Sequence, residues 1–169
     1  PPESEVQAIS GSKLLAFQVV GQGGHRVRVA GSVIAAWPDG AVFIRDGTTA
    51  LGLQLLLPVS LSTGTRIEAV GFPKMQRFSA SLASASLVQQ EPGPEPSPTE
   101  ASVADLLKGT RDNDLVAVTA AISGCFRTEE GHVLVLQDRG GTIRAQAPPL
   151  EHEPPTGARV RVTGICQVE

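Results

Sequence analysis

Apolar and polar positions alternate along Arg26–Trp37: Val27, Val29, Gly31 and Val33 fall on one face, and Arg26, Arg28 and Ser32 on the other. A two-residue period predicts a strand with one buried side, and Gly31 is expected to mark a bend in it. The same pattern returns at Leu115–Phe126, offset by 89 residues, again closed by an aromatic. Val42–Asp46 then matches Leu134–Asp138 at an offset of 92, and Thr63–Phe72 matches Thr156–Ile165 at 93. Matching blocks in the same order, with drift only at turns, predict one supersecondary unit built twice.

Each copy reads as a long first strand, a tight turn, two shorter strands, a Pro-rich excursion and a strand opening at Thr-Gly-x-Arg. Copy one adds a fifth strand, Phe78 to Val88, in which small Ala and Ser alternate with Leu82 and Leu87. Five short strands in so few residues predict a small closed barrel of the OB type; a sandwich needs more strands than either copy holds. The expected fold is therefore all-β, with two tandem OB-like five-stranded barrels: residues 1–90 with an N-terminal extension, and residues 101–169. Between them, the alternating prolines of residues 91–100 predict a semi-rigid polyproline spacer. The second copy reaches Glu169 right after its fourth strand, so its barrel is expected to be incomplete at that end, and the natural protein is expected to continue. One short helix is predicted at Ser102–Lys108, where Ser102 and Asp105 form a capping-box pattern and Gly109 a stop. A second helical stretch is predicted near Ser12–Phe17.

Composition supports this picture. Eighteen Gly and 13 Pro in 169 residues punctuate the chain too often for long helices, and no apolar run approaches the roughly 18 residues that span a bilayer. The net charge of −3 is unevenly shared: residues 1–90 carry seven Lys and Arg against five Asp and Glu, whereas residues 91–169 carry seven against twelve. Neither half concentrates the positive charge that phosphate-backbone binding normally uses, so nucleic acid is not expected as a partner.

Candidate chemistry is sparse. His25, His132 and His152 are isolated beside predicted turns and read as solvated loop residues. Ser10-Gly11-Ser12-Lys13 satisfies S-x-x-K without the companion elements of a penicillin-recognising site. Asp112-Asn113-Asp114 lacks the Gly and terminal Glu of a calcium loop and reads as an ordinary acidic turn. Asp46 and Asp138 hold equivalent places and open turns, so they read as fold determinants bonding nearby backbone N–H groups. Cys125 and Cys166 are expected far apart, as free and mostly buried thiols. No catalytic residue, metal site or cofactor is expected.

Two surface features remain. An OB barrel binds single strands across its second and third strands and adjoining loops; in copy one that surface would include Trp37, Phe43, Arg45, Phe72, Lys74 and Arg77. The second strands are also apolar on both faces, so Phe43, Val133 and Val135 are expected to lie outward beneath the other barrel, a loop or a partner.

The motifs Val27-Arg28-Val29-Ala30-Gly31-Ser32-Val33, Val42–Thr48 and Gly64–Gly71, with their counterparts Leu115–Ile122, Val133–Gly141 and Gly157–Cys166, resemble the extracytoplasmic sensory region of bacterial transmembrane sensor histidine kinases. That resemblance implies tandem OB-like barrels on the periplasmic side of an inner-membrane protein of a two-component system. It also implies a non-catalytic sensing or interaction module for a small-molecule or protein stimulus, homodimerisation, and membrane attachment through segments outside these residues. The alternatives are an OB-type binder of single-stranded nucleic acid and a structural or dimerisation spacer; an oligonucleotide titration at low salt separates them.

Overall fold

The computed structural model describes residues 6–14, 24–75 and 78–168. Strands β1 (Val27–Ala36), β2 (Ala41–Asp46), β3 (Thr49–Leu55), β4 (Arg66–Met75) and β5 (Ala80–Glu91) close a barrel in the order β1-β2-β3-β5-β4. This is the OB-like five-stranded barrel expected of copy one. Closure depends on β1 serving two partners: Val27–Ser32 pair with β4, and Ser32–Ala36 pair with β2. The change of partner falls at the predicted bend. A side chain on Gly31 would come within 2.9 Å of the Arg45 carbonyl oxygen, so only glycine lets β2 cross here. Val27, Val29, Val33, Ile44, Leu51, Ile67, Ala69 and Leu82 are sealed inside. The fifth strand starts two residues later and ends three residues later than the apolar pattern suggests, because Gln89, Gln90 and Glu91 keep pairing with β4 after the barrel interior has ended.

The rest of the chain forms β6 (Thr99–Glu100), helix α1 (Val103–Leu107), and strands β7 (Leu115–Arg127), β8 (His132–Asp138), β9 (Gly141–Ala147) and β10 (Arg159–Ile165). The second sheet runs β10-β7-β8-β9, with β6 alongside β7. Its register repeats that of the barrel. Val27 faces Gly71, and the matching Val116 faces Gly164; the bulge between Val33 and Ala35 returns between Ile122 and Gly124. A separate core forms around Val118, Ala120, Ile122, Leu134 and Leu136, with Val103 and Leu106 of α1 beneath it. The predicted capping box is present: the Ser102 hydroxyl accepts from the Asp105 amide at 3.1 Å, and the Asp105 carboxylate accepts from the Ser102 amide at 3.2 Å. Bonds from the Ser102 side chain and backbone, then Lys108, lower the Asp105 carboxyl to about 2.

Asp138 accepts from the nearby Gly140 amide at 2.6 Å, as expected, and both aspartates also act over a longer range. The Asp46 carboxylate accepts from the Gly11 amide at 2.7 Å, and the Asp138 carboxylate accepts from the Val103 amide at 3.3 Å, each across 35 residues. Each thus ties the second strand of its unit to a helical turn before the first strand. Of the helical stretch predicted near Ser12–Phe17, residues 11–14 are helical, and the remainder lies outside the described residues. Asp46→Ala is expected to lower stability by about 1 kcal/mol, the usual cost of a lost cap; a urea midpoint unchanged within error would remove the tie from the account.

Three expectations need correction. Residues 91–100 do not stand off as a spacer: a side chain on Gly64 would come within 2.5 Å of the Pro94 carbonyl oxygen, and Thr99–Glu100 pair with β7. Asp112-Asn113-Asp114 is no solvated turn, since Asn113 and Asp114 are buried and Asn113 adopts φ +64°. His132 is buried, not solvated: its Nδ1 accepts from the Leu150 amide at 3.1 Å, which leaves the hydrogen on Nε2, 3.3 Å from Glu153 Oε1.

Candidate functional site

In an OB barrel the second and third strands present the ligand face. In the first barrel that face is filled from within the chain. Arg45 of β2 donates to Asp114 Oδ1 from both Nε (2.9 Å) and Nη2 (2.6 Å), and to the carbonyls of Ser97 (2.8 Å) and Leu115 (3.0 Å). Next to it the Asn113 side chain rests over Gly52 of β3 and donates to Ser79 at 2.8 Å, while the Ser79 hydroxyl donates to Asp112 at 2.6 Å. The Asn113 amide donates to the Cys166 carbonyl at 2.7 Å, and the Cys166 amide donates to Asp114 O at 2.9 Å. The 112–114 turn is therefore a clasp that joins both sheets over β2 and β3.

This geometry corrects the surface expected on copy one. Arg45 is spent on the clasp, because one oxygen of a buried carboxylate accepts from two of its N–H groups. Phe43 is buried, its ring meeting Trp37 edge-on with centroids 4.7 Å apart. Trp37 and Phe72 are about two-fifths exposed, with the Arg26 guanidinium 5.9 Å from the Phe72 ring centre, and Lys74 is exposed. Arg77 lies outside the described residues.

The matching face of the second sheet is open. Direct cross-strand pairing places three rows side by side: Ala121–Gln137–Thr142, Gly124–Val135–Arg144 and Phe126–Val133–Gln146. Opposed residues share a face, so Phe126, Val133, Val135 and Arg144 line one surface. Gly124 makes room for the aromatic ring, since a side chain there would come 3.1 Å from Phe126. Phe126 is 60% exposed, Arg144 and Gln146 are exposed, and Val133 and Val135 are half-buried. Val133 and Val135 alternate along β8 with the buried Leu134 and Leu136. Phe126 was legible only through the repeat: it occupies the place of Trp37 at the 89-residue offset.

Both cysteines are free and half-buried. Burial, then Asp112 and Asp114, push the Cys166 thiol from 9.0 up to about 11, and burial followed by Glu153 raises Cys125. Because the thiolate is the nucleophile, alkylation of Cys166 is expected to stay slow at pH 9 and to rise only as pH nears 11. Site-resolved alkylation by mass spectrometry checks this; a rate at pH 9 equal to that of the denatured chain would contradict it. Among the described residues, no group of three or more His, Cys, Asp or Glu side chains is placed to hold a metal, and buried Asp114 and His132 are committed to structural hydrogen bonds.

No family model and no curated protein matches the chain. Several solved structures resemble it, three of which follow. The S. pombe Stn1–Ten1 complex matches at 17% identity and a TM-score of 0.39, over 53% of this chain and 78% of that one. The telomere capping protein Ten1 from Saccharomyces pombe matches at 18% and 0.38, over 52% and 80%. A murine DNA-binding protein bound to double-stranded DNA matches at 12% and 0.42, over 79% and 81%. The sensor-kinase expectation is corrected: the solved structures that resemble the chain are described as telomere-capping and DNA-binding proteins. With it go the two-component assignment, the periplasmic location and the exclusion of nucleic acid. The physical reason lies in the motifs behind the resemblance. Gly31 admits a crossing strand, Asp46 caps a helical turn and Gly64 packs on Pro94, so these residues specify a barrel and carry no information about a stimulus. No helix among the described residues is long and apolar enough to cross a membrane.

Proposed function

We propose that the chain is a non-catalytic OB-type module that binds single-stranded nucleic acid on the outer face of β7, β8 and β9. In this reading residues 1–90 and 101–169 are tandem OB-like units, with residues 91–100 as the connection between them. The observation that carries the reading is the exposed Phe126 ring over Gly124, in the row beside Val135 and Arg144, on a face whose counterpart in the first barrel is filled. A flat aromatic beside aliphatic side chains stacks a base, and a neighbouring arginine meets the backbone phosphate. Val133 and Val135 form the floor. Trp37, packed on β2 at the end of β1, and Phe72 and Lys74 on β4 are also exposed on the first barrel.

Binding by this face relies on stacking more than on charge. Arg144 is the one cation in the three rows, and Glu129 and Glu130 lie at the tip of the β7–β8 turn. One phosphate contact gives a slope of log K against log salt of about −0.7 for a single strand, so a shallow salt dependence is expected. A fluorescence-anisotropy titration of a labelled oligothymidine at several salt concentrations tests this. Saturable binding with a shallow slope supports the reading, whereas no binding at the lowest salt rejects it.

A further inference from the structure

We propose that Arg159 of β10 gives the strand held over Phe126 and Arg144 a second phosphate contact, so that the bound segment turns from the β7–β9 face across Ala121 onto β10. This rests on the nucleic-acid reading and extends its site. Ala121 is where β7 changes partner: it faces Gln137 of β8 on one side and Arg159 of β10 on the other. The row Thr142–Gln137–Ala121–Arg159 therefore crosses four strands, and opposed residues share a face. Thr142, Gln137 and Arg159 are exposed, and along the row only the methyl group of Ala121 separates Gln137 from Arg159.

The first barrel shows how such a row is shaped. Its counterparts Arg66, Ser32 and Arg45 are paired in the same register and line one hollow of about 370 Å³. The bend in the long strand thus brings the outward side chains of both its neighbours around a single concavity. In that barrel the cation on the second strand, Arg45, is held by Asp114. In the second unit Gln137 takes its place, and Arg159 keeps the charge. Among the described residues no carboxylate pairs with Arg159, whereas Arg161 is held by Glu100. Arg66 likewise stays exposed and outside those ion pairs, even with Glu91 of β5 opposite it. The outward side of this position is therefore open whether or not a further strand lies beside β10.

From Phe126 the path runs about 15 Å along β7 and about 5 Å across to β10, a span of several nucleotides. Labelled octathymidine, long enough to cover it, is titrated by anisotropy at several salt concentrations against the full chain and its variants. Each phosphate contact adds about −0.7 to the slope of log K against log salt, so the second contact steepens the expected slope of the parent to about −1.4. Arg159→Gln is expected to return it to about −0.7 and to weaken binding several-fold at low salt. Arg159→Lys is expected to keep the parent slope, since an ammonium also meets a phosphate, and Arg66→Gln, the same charge change on the first barrel, is expected to leave slope and affinity as they are. An unchanged slope in Arg159→Gln, or an equal fall in Arg66→Gln, while Phe126→Ala still weakens binding, would overturn the second contact and leave the stacking face in place. No binding of octathymidine by the parent would overturn both.

Discussion

Replacing Asp114 by Ala is expected to destabilise the chain by about 3–5 kcal/mol, because the Arg45 guanidinium then stays buried without its carboxylate. Only 5% of the Asp114 side chain and 19% of the Arg45 side chain are exposed, so solvent screens the pair little. Thr99 and Arg111 also reach Asp114, at 3.2 and 3.9 Å, and lose their partner in the same substitution. The Arg45→Ala, Asp114→Ala double variant is expected to lose less than the sum of the singles, since no charge is then stranded. Because the two sheets keep separate cores, urea unfolding of Asp114→Ala is expected to split into two transitions where the parent shows one. A cost under about 1 kcal/mol, typical of a solvated surface pair, would mean that the clasp does not hold the sheets together.

The second large effect is on binding. Phe126→Ala is expected to weaken oligonucleotide affinity by about 1–3 kcal/mol, the usual worth of one stacked base, or roughly 5- to 150-fold. Its structural cost is small, because a ring 60% exposed contributes little burial. Trp37→Ala, the matching substitution in the first barrel, is expected to leave affinity nearly unchanged, since the clasp covers Gly52 and engages Arg45 there. Equal losses from the two substitutions would put the strand somewhere other than the second sheet.

Much of the fold was legible because a repeat constrains each copy by the other. The strand pattern and the bend at Gly31 followed from matching apolar positions, since burial on one face imposes a two-residue period that loops lack. The clasp was not legible. Asp-Asn-Asp has the same composition whether it meets water or a neighbouring guanidinium, and Arg45 shows no periodicity that separates a surface ligand contact from a buried pair. Asp46 and Asp138 were recognised as fold determinants, but partners 35 residues away left no local signal. Phe126 was passed over for a related reason: an aromatic closing a strand looks the same packed or open. Its neighbour decides the matter, since Phe43 covers Trp37 in copy one while the equivalent position in copy two is Val135.

Amide and methyl chemical-shift mapping during an oligothymidine titration examines the central claim most directly. The predicted result is a continuous patch of perturbed signals over Gly124, Phe126, Val133, Val135 and Arg144, with Gly52 and Asn113 unmoved. Perturbation confined to the first barrel, at Trp37 or at Phe72 and Lys74, with the β7–β9 face silent, or no perturbation at saturating oligonucleotide, would contradict it.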